Sequence, residues 1–471
     1  MKKVLSLILA GAMTMGLCAC AAGGESANAP AATFQVGYAR EDITPGKPVP
    51  LAGYGNASKR ISTNTMDFLY ISCVAITDTQ DNTILLMSQD LVTTSYYEEI
   101  ATLVNQATGV PVENIMLAST HTHSGPSQGD DDPNVVSWRT SYMAAAARAA
   151  QKALADRAPT EISIGRVDAE GLNFVRHYVQ EGGHYIGDNF GSLSNGPIIG
   201  HAEENDPEMQ VIKFARADET KKDIVMVNWQ AHPCITSGTN ETNLSADFVG
   251  STRNYVERET GMQFIYFQGA AGNHNAKSRI EGETPTTDVN EYGQMLGDYV
   301  LKAVESATPI ASGDIKTTKL MYEGKVNHTM EDKLDLAKEV NALYKATDRD
   351  TANKLAREYG FSSVYHCNGV ITRSSMGETL TMGLNAISIG DALSFITAPY
   401  EMFAAQGMYI KENTPYDMTF VVTYCNGHTS YLPTEKAYDF GCYESHTGRF
   451  ERGTAEKLAS TFVDMLTELK G

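Results

Sequence analysis

The chain has 471 residues, with 37 basic and 57 acidic side chains and a formal net charge of −20. That balance excludes nucleic-acid or anionic-lipid binding through a broad basic patch. A hydrophobic fraction of 42% is enough to build one large domain or two tightly joined ones.

In chain order, Lys2 and Lys3 precede an apolar stretch from Val4 to Leu17 that ends in Leu17-Cys-Ala-Cys20. It is shorter than the roughly 20 apolar residues of a spanning helix, so residues 1–19 read as a secretory signal. The ending resembles a bacterial lipobox. This implies that Cys20 is the lipidated first residue of an exported bacterial lipoprotein, held at the cell surface or the periplasmic face of a membrane. Residues 20–33 are mostly Ala, Gly, Ser, Asn and Pro and are expected to be a flexible tether.

From residue 34 the pattern alternates between strands and helices. An opening strand is expected over 34–39, then a loop rich in Pro and Gly through Gly55. Paired apolar strands follow at 69–77 and 83–88, with their turn at 78–82. Helices are expected at 97–106 and 141–156, and strands at 114–119, 162–167, 224–229 and 263–267. An amphipathic helix covers 287–306, and the charged stretch 331–359 predicts a helical pair outside the sheet. Late strands at 384–396 and 418–424 lead to a closing helix over 454–469. The class is α/β, with mixed β-sheets flanked by helices and functional residues at strand ends. After Cys20 five cysteines remain, namely Cys73, Cys234, Cys367, Cys425 and Cys442. Their odd number and spacing fit buried free thiols better than a zinc ribbon, although a Cys425–Cys442 disulfide is compatible with the sequence.

The strongest chemical signal is Thr-His-Thr-His-Ser-Gly-Pro at 120–126, at the end of an apolar strand. In an extended backbone His121 and His123 would point to one side, because the side-chain period is two. Such a pair serves either as a metal or hydrolytic centre or as two hydrogen-bonding loop histidines. Three further strand ends carry His232 before Pro233, Glu401 after Pro399-Tyr400, and Tyr431 before Leu432-Pro433. With His121 they supply a set suited to zinc. The segment Phe267-Gln-Gly-Ala-Ala-Gly-Asn-His-Asn275 is a strand entering a small-residue loop, where backbone can approach a ligand closely. His274 reads as either a pocket or a loop residue, His428 and His446 as candidate supports for the ligands, and Asp90 and Asp247 as capping or loop residues.

This combination resembles the N-terminal catalytic domain of neutral (non-lysosomal) ceramidases and their shorter bacterial relatives. The resemblance runs from Val36-Gly-Tyr-Ala-Arg-Glu-Asp-Ile-Thr-Pro45 through THTHSGP, Asn228-Trp229 with His232, and Pro399-Tyr-Glu401 to residues 431–444. It implies that 34–471 is a ceramidase-like catalytic domain and that His121, His232, Glu401 and Tyr431 are ligands of a Zn²⁺ cofactor. It also implies that His123, Arg176 and Tyr443 act on the substrate carbonyl or its oxyanion. Two departures stand out. The family's Gly-Asp-x-Ser-Pro-Asn serine is replaced by Asn275, or by Gly272 in the alternative alignment. The chain is also expected to lack the C-terminal immunoglobulin-like domain of full-length ceramidases. The implied function is zinc-dependent hydrolysis of an N-acyl amide, ceramide-like, by metal-activated water. The alternatives are a zinc hydrolase of another amide or ester, such as a cell-wall component, and a non-catalytic surface binding lipoprotein. The implied partners are a small-molecule or lipid amide and, through Cys20, the membrane.

Overall fold

The computed structural model describes residues 34–55, 60–238 and 241–471, so the expected signal segment, Cys20 and tether lie outside the described residues. Among the described residues no helix is long and apolar enough to cross a membrane.

The larger sheet contains β1 (Phe34–Asp42), β2 (Tyr70–Thr77), β3 (Thr83–Gln89), β4 (Ile115–Ser119), β5 (Ala158–Asp168), β6 (Glu208–Arg216), β7 (Ile224–Trp229) and β8 (Gln263–Gln268). Their spatial order is β8-β7-β6-β5-β1-β2-β3-β4, and the short strand Thr308–Pro309 pairs with β5. Pairing is antiparallel through the middle, while β3/β4 and β7/β8 are parallel. The second sheet is β9 (Ile315–Lys325), β10 (Thr379–Ile389), β11 (Leu393–Ala398) and β12 (Met418–Thr423), with β11/β12 parallel.

Side-chain alternation stacks these sheets face to face. In β2, Val74 and Ile76 point into a core shared with Phe395 of β11 and Phe420 of β12. The intervening Ile71, Cys73 and Ala75 pack under α1 (Tyr97–Thr108) and α2 (Pro133–Ala155). On β7 the outward residues Val225, Val227 and Trp229 meet α3 (Phe248–Thr260) and α4 (Val289–Glu305). The outer face of the second sheet, with Leu384, Ile396 and Val421, is covered by α8 (Ala404–Asn413) and α9 (Thr454–Lys470). The result is four layers, helices–sheet–sheet–helices, in which both faces of the inner strands are buried. Their near-continuous apolar runs are what that environment requires.

One expected element needs correction. The strand predicted over 384–396 is two strands, β10 and β11, joined by a turn at 390–392 that apolar periodicity alone does not show. The stretch 331–359 does form a helical pair, α5 (Leu334–Ala346) and α6 (Arg349–Glu358). With α7 (Val364–Ser374), however, it forms its own apolar cluster around Val340, Ala356 and Val370 and walls the main cavity. All five cysteines from Cys73 onward are free thiols, so Cys425 and Cys442 are not joined.

Helix α2 lies so close to β1 that a Cβ on Gly37 would sit 2.1 Å from the Ala153 carbonyl oxygen. Backbone on both sides prevents relief by a rotamer change. Gly37→Ala is therefore expected to cost about 1–3 kcal/mol, as overpacking does. This would be read as a lower denaturant midpoint, and an unchanged midpoint would contradict the packing described.

Candidate metal centre

The cluster forms where the three parallel pairs end. The carboxyl ends of β4, β7, β8, β11 and β12 release chain into one cleft, the usual place for a ligand in open α/β sheets. Short backbone links tie these ends together. Ser119 N–H donates to the Tyr424 carbonyl at 3.1 Å, His232 N–H to the His274 carbonyl at 3.1 Å, and Gly272 N–H to the Met402 carbonyl at 2.7 Å. Glu401 and Tyr431 are directly paired in a two-residue parallel ladder.

His121 and His123 do not share a side for the reason the sequence suggested. β4 ends at Ser119, and His121 adopts a left-handed φ of 68°. The rings nevertheless meet edge to face, with centroids 4.9 Å apart. His121 donates from Nδ1 to the Val92 carbonyl at 2.7 Å, and His232 from Nδ1 to the His274 carbonyl at 3.0 Å. Those bonds fix the tautomers and leave each Nε2 lone pair facing the cleft. Glu401 Oε2 lies 3.6 Å from both Nε2 atoms, and His123 Nε2 is 3.2 Å from that of His121. Burial holds His121 and His123 well below the usual imidazole range and His232 down at about 3, so all three are neutral. The His232 Nε2 is buried with no hydrogen-bond partner.

Lone pairs converging on one carboxylate without a proton between them suit a divalent cation, and the donor set of imidazole and carboxylate suits zinc. The ligand atoms of His121, His123 and His232 all lie within 4.8 Å of one another, so distance admits His123 to the group as well. His123 differs in also lining the open cavity, together with Arg176, Tyr431 and Tyr443. Burial and the Glu401 charge hold the Tyr431 phenol well above its usual range. Sequence reading missed Tyr424. It stacks on His121 at 3.8 Å and donates to Glu401 Oε2 at 3.3 Å. Its only signal was an aromatic at the end of a buried strand.

Arg176 is anchored by Glu444, Nε to Oε1 at 2.8 Å, and by the Gly272 carbonyl at 2.9 Å, with its guanidinium over the Tyr431 ring. Glu444 also accepts from His177 Nε2 at 3.0 Å, while His177 Nδ1 donates to Glu203 at 3.2 Å. Burial works against the charged imidazole, but Glu444 and Glu203 outweigh it and push His177 up to about 9. His177, Cys442 and Glu444 form a second metal-capable group by proximity. Its charges are already compensated, however, and burial pushes the Cys442 thiol up, which leaves it a poor ligand. The sequence signal for this network was adjacency alone, in Arg176-His177 and Tyr443-Glu444.

Asn275 sits beside His232 in a backbone bridge and donates to Asp188 at 3.3 Å, whereas Gly272 packs its backbone against Glu401. Asp247 caps α3 and Asp90 accepts from Tyr70 N–H, as loop support. His446 stacks on His366 and bonds Ser362, and His428 has no hydrogen-bond partner at Nδ1. Neither bonds a member of the cluster.

No protein-family model and no curated protein sequence matches the chain. Solved structures do. Neutral ceramidase from Pseudomonas aeruginosa superposes with a TM-score of 0.70 at 17% identity, over 93% of this chain and 74% of that one. A ceramidase complexed with C2 gives 0.68 at 17% identity, over 93% and 75%. The chain has the neutral ceramidase fold. Within that ceramidase fold the residues the sequence singled out, His121, His232, Glu401 and Tyr431, stand at one cleft with His123, Arg176 and Tyr443.

A Cβ on Gly272 would fall 2.7 Å from the Glu401 carbonyl oxygen and 2.8 Å from that of Met402. Gly272→Ala should displace Glu401 and weaken the affinity of the site for a divalent metal about 10–100-fold, as loss of ligand support does. Competition with a chelating dye measures this, and unchanged affinity would contradict the support role. His177 yields a pH prediction. Below the unfolded value of 6.5 both states hold the proton and the contribution to stability is complete. It shrinks as pH rises and is gone above about 9. The whole is on the order of 3 kcal/mol. Thermal midpoints should fall across that window, and His177→Asn should flatten the fall.

Proposed function

We propose that the protein is a zinc-dependent hydrolase of N-acyl amides. The observation that carries this reading is the partnerless, buried Nε2 of His232 facing Glu401 and His121, next to His123, which lines a cavity together with Arg176 and Tyr443. His121, His232, Glu401 and Tyr431 would hold the ion. A zinc ion there supplies Lewis acidity and lowers the pKa of water from 15.7 toward about 7.

The chain's own residues do the rest. Arg176, held rigid by Glu444 and the Gly272 carbonyl, presents fixed positive charge where an amide oxygen would become an oxyanion. Tyr443 remains a phenol, its ionisation opposed by burial and by Glu401, and so can donate a hydrogen bond. His123 is neutral and reaches the cavity, so it can contact the carbonyl, take up a proton and pass it to the leaving amine. Burial of the cluster excludes bulk water and strengthens each of these interactions. We place the protein outside the cytoplasm as a lipoprotein anchored through Cys20, on the strength of the lipobox resemblance. Asn275 at the position of the family serine favours an amine other than that of ceramide.

Purified protein should carry about one zinc per chain, and His121→Ala or His232→Ala should remove both metal and amide hydrolysis. Arg176→Ala should keep the zinc and lower kcat about 10²–10³-fold, the usual loss for one oxyanion donor. Metal analysis paired with an N-acyl amide assay decides both. Absence of stoichiometric metal after growth in zinc-replete medium would overturn the proposal.

A further inference from the structure

A cavity of about 1250 Å³ leads from His123, Tyr431 and Tyr443 to the surface. Its outer wall is helix α6, where Arg349, Asn353 and Arg357 recur at intervals of four residues and so lie on one helical face. All three line the cavity. Two other arginines there are already paired, Arg176 with Glu444 at 2.5 Å and Arg279 with Asp188 at 3.1 Å. Among the described residues Arg349 and Arg357 have no carboxylate within ion-pair distance, and the acidic groups that line the cavity with them are Asp350 on the same helix and the occupied Asp188. In a chain of net charge −20, two spare guanidinium groups aimed into one cavity are not a general property of the surface.

The arginines are also tied to the chemistry. Arg349 and Tyr365 line the same cavity, and the Tyr365 ring lies edge-on to that of Tyr443, centroids 5.5 Å apart. An anion held by α6 would therefore lie in the same cavity as a bond broken beside His123, Tyr431 and Tyr443. The facing wall, residues 186–195, offers Ile186, Phe190 and the exposed Leu193, enough for a single apolar chain.

We propose that the substrate is an N-acylated amine whose amine half carries an anionic oxyacid group, carboxylate, sulfonate or phosphate, held by Arg349 and Arg357. Planar guanidinium forks match such oxyanions bidentately. This rests on the amide-hydrolase reading above. The acyl chain lies along Ile186, Phe190 and Leu193, and hydrolysis releases an anionic amine.

The test compares N-octanoylglycine with the neutral N-octanoylglycinamide on the zinc-loaded full chain. N-octanoyltaurine distinguishes sulfonate from carboxylate. The expected kcat/KM favours the anionic amide by about tenfold or more, the scale of a partly exposed charge-assisted contact. In the double variant Arg349→Ala/Arg357→Ala that ratio collapses toward one, and in Arg349→Lys/Arg357→Lys much of it returns. Calorimetry of N-octanoylglycine binding runs beside it, with the same variants. Hydrolysis of both amides at equal efficiency, unchanged by the variants, overturns the anion site and leaves the hydrolase reading standing. Binding of N-octanoylglycine that is lost in the alanine variant, with no amide hydrolysed, supports the anion site and sinks the hydrolase reading. Neither binding nor turnover overturns the anion site.

Discussion

The structure turns on a single carboxylate. Glu401 lies 3.6 Å from the Nε2 atoms of both His121 and His232, and all three side chains are buried. An anion buried among neutral imidazoles is costly unless a positive charge joins it. Five strand ends, a left-handed histidine and a glycine pressed against the Glu401 backbone all converge to keep those atoms together. Such converging constraints are what hold a strained or charged arrangement in place at a functional site.

The neighbouring buried group solves the same problem differently. Glu444 is satisfied by Arg176 and His177, and His177 by Glu203, so charge is balanced within the protein. Burial opposes Glu444 ionisation, but Arg176 and His177 together hold its carboxyl well below the usual range. Removing one partner would strand a buried charge, which is why this network keeps Arg176 rigid rather than binding anything itself. The two groups share the cleft, and their contrast separates a site suited to a cation from a support that needs none.

Much of this was legible in the sequence, for identifiable reasons. Strand-end His, Glu and Tyr next to Pro or Gly are local patterns, and the long apolar runs of β3, β4 and β7 announce burial on both faces. The route by which His121 meets His123 was not legible, because a left-handed φ leaves no trace in side-chain periodicity. The β10–β11 turn was hidden inside an apolar run for the same reason. Tyr424, His177 and Glu444 act through contacts 23 to 268 positions away in the chain, so only folded coordinates expose them. The arginines of α6 were legible only as part of a charged helical pair outside the sheet. Their position at the cavity wall is what gives them meaning.

The most direct measurement is X-ray absorption at the zinc edge on the metal-loaded protein. The account predicts a shell of nitrogen and oxygen only, at about 2.0–2.2 Å, with imidazole scattering from at least two histidines. A sulfur scatterer near 2.3 Å would place the metal at Cys442 instead and contradict the account.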